Sequence, residues 1–365
     1  MIIETDAPQQ TVTVPIYVLY LIVTTDCMLD CDYCFVNKSK RYMDQSTAEK
    51  GIDFFLRTPG LNKLLKIYGG EPLLNFRLIS KIVPFARKLA SELKKELTIT
   101  ICTNMILVNE EIIDFFQRHK IDLALSSDGA SEQQSRHRRF KGGRPSADII
   151  EARLSVLNSK ISEEKIAVNL TVPRECAKDL FDNFLYFNRR GIKTLNIEPV
   201  MSGDWSSEQR RIFCEQYKRV LDEILVGISQ NRFFFITQLN REFKYGEVSE
   251  ISRGGCLLKR GLQLSPEGEF FIGPWTAYLN NPDKVIGNLW REAYSPHFFC
   301  NQSGPEACAN CRERYQKGLP PNNNPGVLRD RITILYADRI AKKASEHERC
   351  LYEQYLQSAV KHICF

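Results

Sequence analysis

A chain of 365 residues with 43% hydrophobic and 26% charged residues has interior enough for one large α/β domain and a smaller one, and its composition excludes a disordered or low-complexity protein. The net charge of +6 is modest for this length, and no broad basic face with interleaved aromatics is present, which argues against nucleic acid as a partner. The acidic start "MIIETDAPQQ" is unlike a signal peptide and the apolar run 14–23 is too short to span a bilayer, so the expected setting is cytoplasmic with no membrane partner.

From residue 16 to 240, after a short N-terminal extension (1–15), β-branched runs alternate with amphipathic ones. Strands are expected at 16–24, 64–69, 97–102, 121–126, 165–172 and 194–200, and helices at 46–57, 78–96, 109–119, 147–158, 178–190 and 206–229. Repeated strand and helix units imply right-handed crossovers and a parallel sheet, either doubly wound or a partial barrel. Both gather ligands at the carboxyl ends of their strands.

The stretch "CMLDCDYCF" follows the first strand directly and carries Cys27, Cys31 and Cys34. In a reducing compartment, twelve cysteines suit metal ligation or catalysis better than a disulfide framework. Structural zinc wants four ligands in closed pairs, a haem attachment wants His where Phe35 stands, and a redox pair leaves Cys27 unexplained. Three thiolates on a four-iron cluster leave one iron open, the position a metal site keeps for a substrate or cofactor. The basic run "RHRRFKGGR" (136–144) reads, on its own, as a solvated loop.

The three-cysteine spacing, with an aromatic residue before the last cysteine, resembles the radical S-adenosylmethionine superfamily, and "YGGEP" (68–72) at the end of the second strand resembles a second motif of that family. The resemblance implies that Cys27, Cys31 and Cys34 hold a 4Fe-4S cluster whose open iron chelates S-adenosylmethionine, with Tyr33 beside it. Gly69, Gly70 and Pro72 would bring backbone close to the ligand, and Glu71 would accept a hydrogen bond from its ammonium group. "ICTNM" and "LSSDG" are similar to further segments of the peptide-modifying members, and imply Thr103, Asn104 and Ser126 at the cofactor, although Met105 replaces the family's glycine. Arg138, twelve residues after Ser126, stands at the family's spacing for an arginine near the cofactor's carboxylate and ribose, and is expected to face inward while its neighbours stay solvated. This part of the resemblance covers about residues 16–200 and implies a partial (β/α)6 barrel.

After residue 245 the texture changes. "GGCLLKRGLQLSPEGEFFIGPW" holds a hairpin signal at "SPEG", and Cys308-x2-Cys311 follows in a Gly, Pro and Asn-rich setting. This order of features resembles the auxiliary-cluster module named SPASM, or its shorter twitch form. A small cysteine-bearing β-hairpin domain (245–320) is therefore expected, with one auxiliary cluster of the 4Fe-4S type held by Cys256, Cys308, Cys311 and Cys300. Zinc is the alternative at that site. A second cysteine near Pro274 or Trp275 is absent, as are further cysteines between Arg312 and Arg349. The tail 321–365 is polar and helical in pattern and is expected to pack back on the body.

The resemblance implies an enzyme that makes a 5'-deoxyadenosyl radical and modifies a carbon centre of a peptide or protein by crosslinking, epimerisation or oxidation, with a flavodoxin- or ferredoxin-like reductant. Only 26 residues precede Cys27, few for a leader-binding domain, and no Asp follows Trp275, where sulfatase-maturating relatives keep a base. The second reading is therefore a twitch-type dehydrogenase or epimerase acting on a small molecule such as an aminoglycoside. A third, of another class, is a zinc-binding interaction protein. Cys102, Cys176 and Cys214 read as small core residues, as do Cys350 and Cys364. The five histidines show no metal spacing. Glu198 faces either the substrate region or a satisfied polar partner.

Overall fold

The computed structural model describes residues 15–200, 204–230, 232–237, 261–272, 285–291, 293–294, 329 and 332–333. Six strands, β1 (Val18–Thr24), β2 (Asn62–Gly69), β3 (Glu96–Thr103), β4 (Asp122–Ser126), β5 (Ile166–Val172) and β6 (Thr194–Pro199), lie side by side in chain order and all parallel. Between them run α1 (Gln45–Arg57), α2 (Phe76–Glu92), α3 (Glu110–Arg118), α4 (Ser131–His137), α5 (Ala147–Lys160) and α6 (Leu180–Arg189), and α7 (Ser207–Ser229) follows. Strands added in one direction with helical crossovers make the curled sheet of a partial barrel. Asp44 and Asn109 cap α1 and α3 through their side chains, and Ser206 with Gln209 closes a capping box on α7.

The strands alternate with period two, which separates the faces. Leu65, Ile67, Ile99, Ile101, Leu123, Leu125, Val168, Leu170 and Ile197 are buried in the main apolar core. The residues between them, Lys66, Tyr68, Cys102, Ser126, Asn169, Thr171, Asn196 and Glu198, are only partly buried. A sheet with one apolar face under helices and one polar, half-open face is a wall with a lumen, and that lumen is where polar ligands fit.

Two features exceed the expected set of six strands. β7 (Phe235–Ile236) adds a seventh parallel strand beside β6, and α4 fills the connection after β4 with a polar sequence that carries no apolar stripe. At the other edge, β8 (Leu262–Leu264) pairs parallel with β1, and β9 (Glu269–Ile272), β10 (Val285–Asn288) and β11 (Ala293–Tyr294) continue antiparallel. The turn between β8 and β9 is the predicted "SPEG", with Gly268 at φ +81° and its N–H bonded to the Ser265 carbonyl at 3.0 Å. The hairpin thus extends the barrel's own sheet. It packs on α1, where a Cβ on Gly51 would meet Leu264 Cδ2 at 2.1 Å and where the Phe54 and Phe270 rings lie 4.9 Å apart. From the tail, Ile332 is buried and the Thr333 hydroxyl bonds Tyr217 Oη of α7 at 2.8 Å.

Candidate active site

Cys27, Cys31 and Cys34 lie on the loop that leaves the carboxyl end of β1, Cys27 buried and the other two partly exposed. The Cys34 N–H donates to the Cys31 carbonyl at 3.1 Å, which folds the second pair into one turn. What holds this loop is the basic run. Lys141 N donates to the Met28 carbonyl at 3.1 Å, Asp30 N to Arg139 at 2.7 Å and Asp32 N to His137 at 3.3 Å, an antiparallel ladder along 28–32. The run itself turns back at Gly142 and Gly143, both in the left-handed region, with Phe140 N on the Arg144 carbonyl at 2.9 Å. Arg136, Arg139, Lys141 and Arg144 are exposed, as the sequence suggests for the run, but His137 and Arg138 are buried. The solvated-loop reading is thus corrected: the run is the partner strand of the cysteine loop, with charges outward only on one side.

The "GGEP" segment is joined to the same loop. Gly70 N donates to Thr24 O at 2.9 Å and Glu71 N to Asp26 O at 2.8 Å, continuing the β1–β2 pairing. A Cβ on Gly69 would lie 2.3 Å from Thr24 O, and one on Gly70 2.3 Å from Asp26 O. The glycines therefore admit protein backbone, a correction to the expectation that they serve approach to a ligand. Glu71 is also different from its expectation. It is fully buried, and its carboxylate accepts from Leu73 N at 3.1 Å, Thr103 Oγ1 at 2.8 Å and Asn104 N at 2.7 Å, while Pro72 opens a 3-10 turn. Asn104 in turn directs its amide at Cys27 Sγ, 3.6 Å away. Glu71 thus ties the ends of β2 and β3 to the cysteine loop. Met105, at the family's glycine position, takes φ +68°, a left-handed backbone that glycine adopts without strain.

Burial pushes the Glu71 carboxyl up to about 7 from an ordinary 4.5, against the hydrogen bonds from Asn104, Thr103 and Leu73. Because the folded chain holds this proton more tightly, the Glu71 contribution to stability is complete below pH 4.5 and is lost as pH rises through about 7. The free energy of unfolding of the metal-free chain should therefore lose about 3 kcal/mol over that window, and Glu71→Gln should flatten the slope by this share. Urea titrations of parent and variant from pH 4.5 to 8 measure it; equal slopes contradict it.

Arg138 is 7% exposed and lies 2.9 Å from Asp128, itself 2% exposed, Nε to Oδ1, an ion pair by proximity whose alignment is not that of a hydrogen bond. The Tyr33 hydroxyl donates to the other Asp128 oxygen, and the guanidinium stands 5.5 Å from the centre of the Tyr33 ring. Burial pushes the Tyr33 phenol well up, so it remains the donor. Asp128 N and Ser127 Oγ both donate to Gln134 Oε1, at 2.9 and 3.2 Å. Asp128, Gln134 and His137 were not foreseen as site residues, although Asp128 stands in the quoted "LSSDG".

Along the lumen, Asn169 Nδ2 donates to Cys102 Sγ at 3.4 Å, Asn196 Nδ2 to Asn169 Oδ1 at 3.2 Å and Thr237 Oγ1 to Asn196 Oδ1 at 2.7 Å, with Ser126 Oγ 3.9 Å from Cys102 Sγ. Cys102 is therefore a member of a polar row and not a core thiol, and Cys176 bonds His137; Cys214 packs beside the main core. At the end of β6, Arg329 donates to Ile197 O at 2.8 Å and to Glu198 Oε2 at 2.6 Å, so Glu198 has a tail cation as its partner. Cys256, Cys300, Cys308 and Cys311 lie outside the described residues.

The donor set fits a cluster with one thiolate per iron. Cys27 and Cys31 interact electrostatically, as do Cys31 and Cys34, yet no three His, Cys, Asp or Glu side chains among the described residues gather on one ion. Burial pushes the Cys27 thiol up to about 12, so ligation must displace its proton. No helix among the described residues is long and apolar enough to cross a membrane.

The model of the radical SAM superfamily matches residues 21–201, and this stretch of the chain belongs to that superfamily. Membership implies S-adenosylmethionine and a 4Fe-4S cluster as its cofactors. The chain is 39% identical over 129 residues to an uncharacterized protein of Methanocaldococcus jannaschii, covering 35% of this chain and 44% of that one. It is 24% identical over 330 residues to the radical SAM cyclopropyl synthase TigE of Paramaledivibacter caminithermalis, covering 80% of this chain and 65% of that one. The chain thus spans less than two thirds of the length of these curated relatives. In fold it resembles native anSMEcpe with bound AdoMet and Cp18Cys peptide, with a TM-score of 0.71 at 16% identity, over 93% of this chain and 99% of that one.

Proposed function

We propose that the chain is a radical S-adenosylmethionine enzyme that modifies a carbon centre in a peptide or protein. The observation that carries this reading is the joining of three motifs at one sheet edge: the cysteine loop after β1, the Gly-Gly-Glu end of β2 and the Thr-Asn end of β3, linked through Glu71 and Asn104. When bound, the cluster supplies an electron that splits S-adenosylmethionine into methionine and a 5'-deoxyadenosyl radical.

In this reading Cys27, Cys31 and Cys34 ligate the cluster, and Arg138, charge-balanced by Asp128, faces the cofactor's carboxylate and ribose. Tyr33 shields that pair from water, which strengthens it. Gly69, Gly70 and Pro72 shape the cofactor's bed, Thr103 and Asn104 close it, and Ser126 stands in the lumen row that would meet the rest of the cofactor. The hairpin 262–272 would begin an auxiliary domain of residues 245–320, where Cys256, Cys300, Cys308 and Cys311 would hold a second cluster. A flavodoxin- or ferredoxin-like protein would deliver the electron, and the setting would be cytoplasmic.

Peptide as the substrate class rests on likeness: the titles of similar proteins name a cyclopropyl synthase and a peptide-bound enzyme. The test is to incubate the reconstituted, reduced chain and S-adenosylmethionine with short peptides encoded in neighbouring reading frames, and to look for a mass change by mass spectrometry. A peptide mass change that depends on S-adenosylmethionine supports the reading. Turnover of an aminoglycoside, with every peptide unchanged, overturns the substrate class.

A further inference from the structure

The imidazole of His137 sits between two elements that the sequence keeps apart. Its side chain is 3% exposed, with Nδ1 2.8 Å from Asp32 Oδ2 and Nε2 3.2 Å from Cys176 Sγ. Asp32 lies between Cys31 and Tyr33 on the cysteine loop, and Cys176 lies in the 3-10 turn Arg174–Asp179 that follows β5. A carboxylate only accepts, so Nδ1 carries the ring proton and Nε2 accepts from the thiol. Burial pushes the Cys176 thiol up to about 11, which keeps that donor protonated. Glu175 at 3.8 Å from Nε2 and Arg136 at 3.8 Å from Cys176 Sγ complete the surroundings.

The place of this contact in the loop gives it meaning. The ladder from 28–141 to 32–137 ends at Asp32, whose N–H reaches the His137 carbonyl at a long 3.3 Å. The chain then leaves the ladder and turns through Cys34. The last rung, which sets the direction of the turn carrying Cys31 and Cys34, is therefore held chiefly by the side-chain bond. We infer that His137 is a positioning residue for the cluster loop: it fixes Asp32, and with it the Cys31–Cys34 turn, to the segment after β5. Ligand turns held by buried second contacts present their donors with less reorganisation when the metal arrives. The inference rests on the reading of Cys31 and Cys34 as cluster ligands.

The test uses the full chain, metal-free, with iodoacetamide labelling of each cysteine followed by mass spectrometry. His137→Ala should speed labelling of Cys31 and Cys34 about tenfold, the scale of one charge-assisted hydrogen bond, and leave Cys214 on α7 at its parent rate. His137→Asn, whose amide can donate to Asp32 where Nδ1 does, should return both rates to within about twofold of the parent. Asp32→Ala, a change at an exposed side chain that spares the buried core, should reproduce the His137→Ala result. Parent-like rates in both Ala variants, or no rescue by Asn, overturn the inference. Iron uptake by the parent is measured in parallel; a parent that binds no iron overturns the cluster reading, while the metal-free labelling still decides the role of His137.

Discussion

Arg138→Ala should lower the affinity for S-adenosylmethionine by at least about a hundredfold, since breaking one side of a buried ion pair costs about 3–5 kcal/mol. The loss has two parts. The cofactor forfeits a cation, and Asp128, 2% exposed, keeps a negative charge in the site with only the Tyr33 hydroxyl and its own surroundings to compensate. The neighbour Arg139 is exposed and donates to the Ser135 carbonyl, so Arg139→Ala should change affinity by less than about twofold. Equilibrium dialysis of the reconstituted, oxidised chain measures both, with circular dichroism confirming that the variants fold. Equal and mild effects would show that Arg138 does not face the cofactor.

The second large effect separates two metal sites. Replacing Cys27, Cys31 and Cys34 together by Ala should abolish 5'-deoxyadenosine formation. Replacing Cys256, Cys308 and Cys311 should leave slow cleavage of S-adenosylmethionine while product is lost. Iron should fall from about eight per chain to about four in either variant, because each four-iron cluster needs its own thiolates. Metal binding stabilises small domains, so the second variant is interpreted only where its circular dichroism matches the parent. If that variant folds, keeps all its iron and still forms product, residues 245–320 carry no cluster.

The barrel was legible because its strands are runs of Ile, Leu and Val whose period of two is strong, and because each helix carries an apolar stripe. Helix α4 was not legible: "SEQQSRH" offers no stripe, and its residues serve the site through Gln134 and His137. β7 spans two residues, too few to show a period. The cysteine spacing and "YGGEP" marked the site correctly as a place, but motif spacing says nothing about which neighbour a carboxylate meets. Glu71 meets Thr103, Leu73 and Asn104, contacts made across three strand ends. The basic run misled for a similar reason. Its composition is that of a solvated loop, and only the pairing of 28–32 with 137–141 shows why two of its residues are buried.

The central claim is that three cysteines on the loop after β1 serve S-adenosylmethionine chemistry. Its most direct test is to purify the full chain without oxygen, reconstitute it with iron and sulfide, reduce it with dithionite, add S-adenosylmethionine and assay for 5'-deoxyadenosine. The account predicts a brown protein whose visible absorption bleaches on reduction, and 5'-deoxyadenosine formed by the parent and absent from the Cys27, Cys31, Cys34 triple Ala variant. A colourless chain that binds only zinc, or 5'-deoxyadenosine formed equally by parent and triple variant, would contradict it.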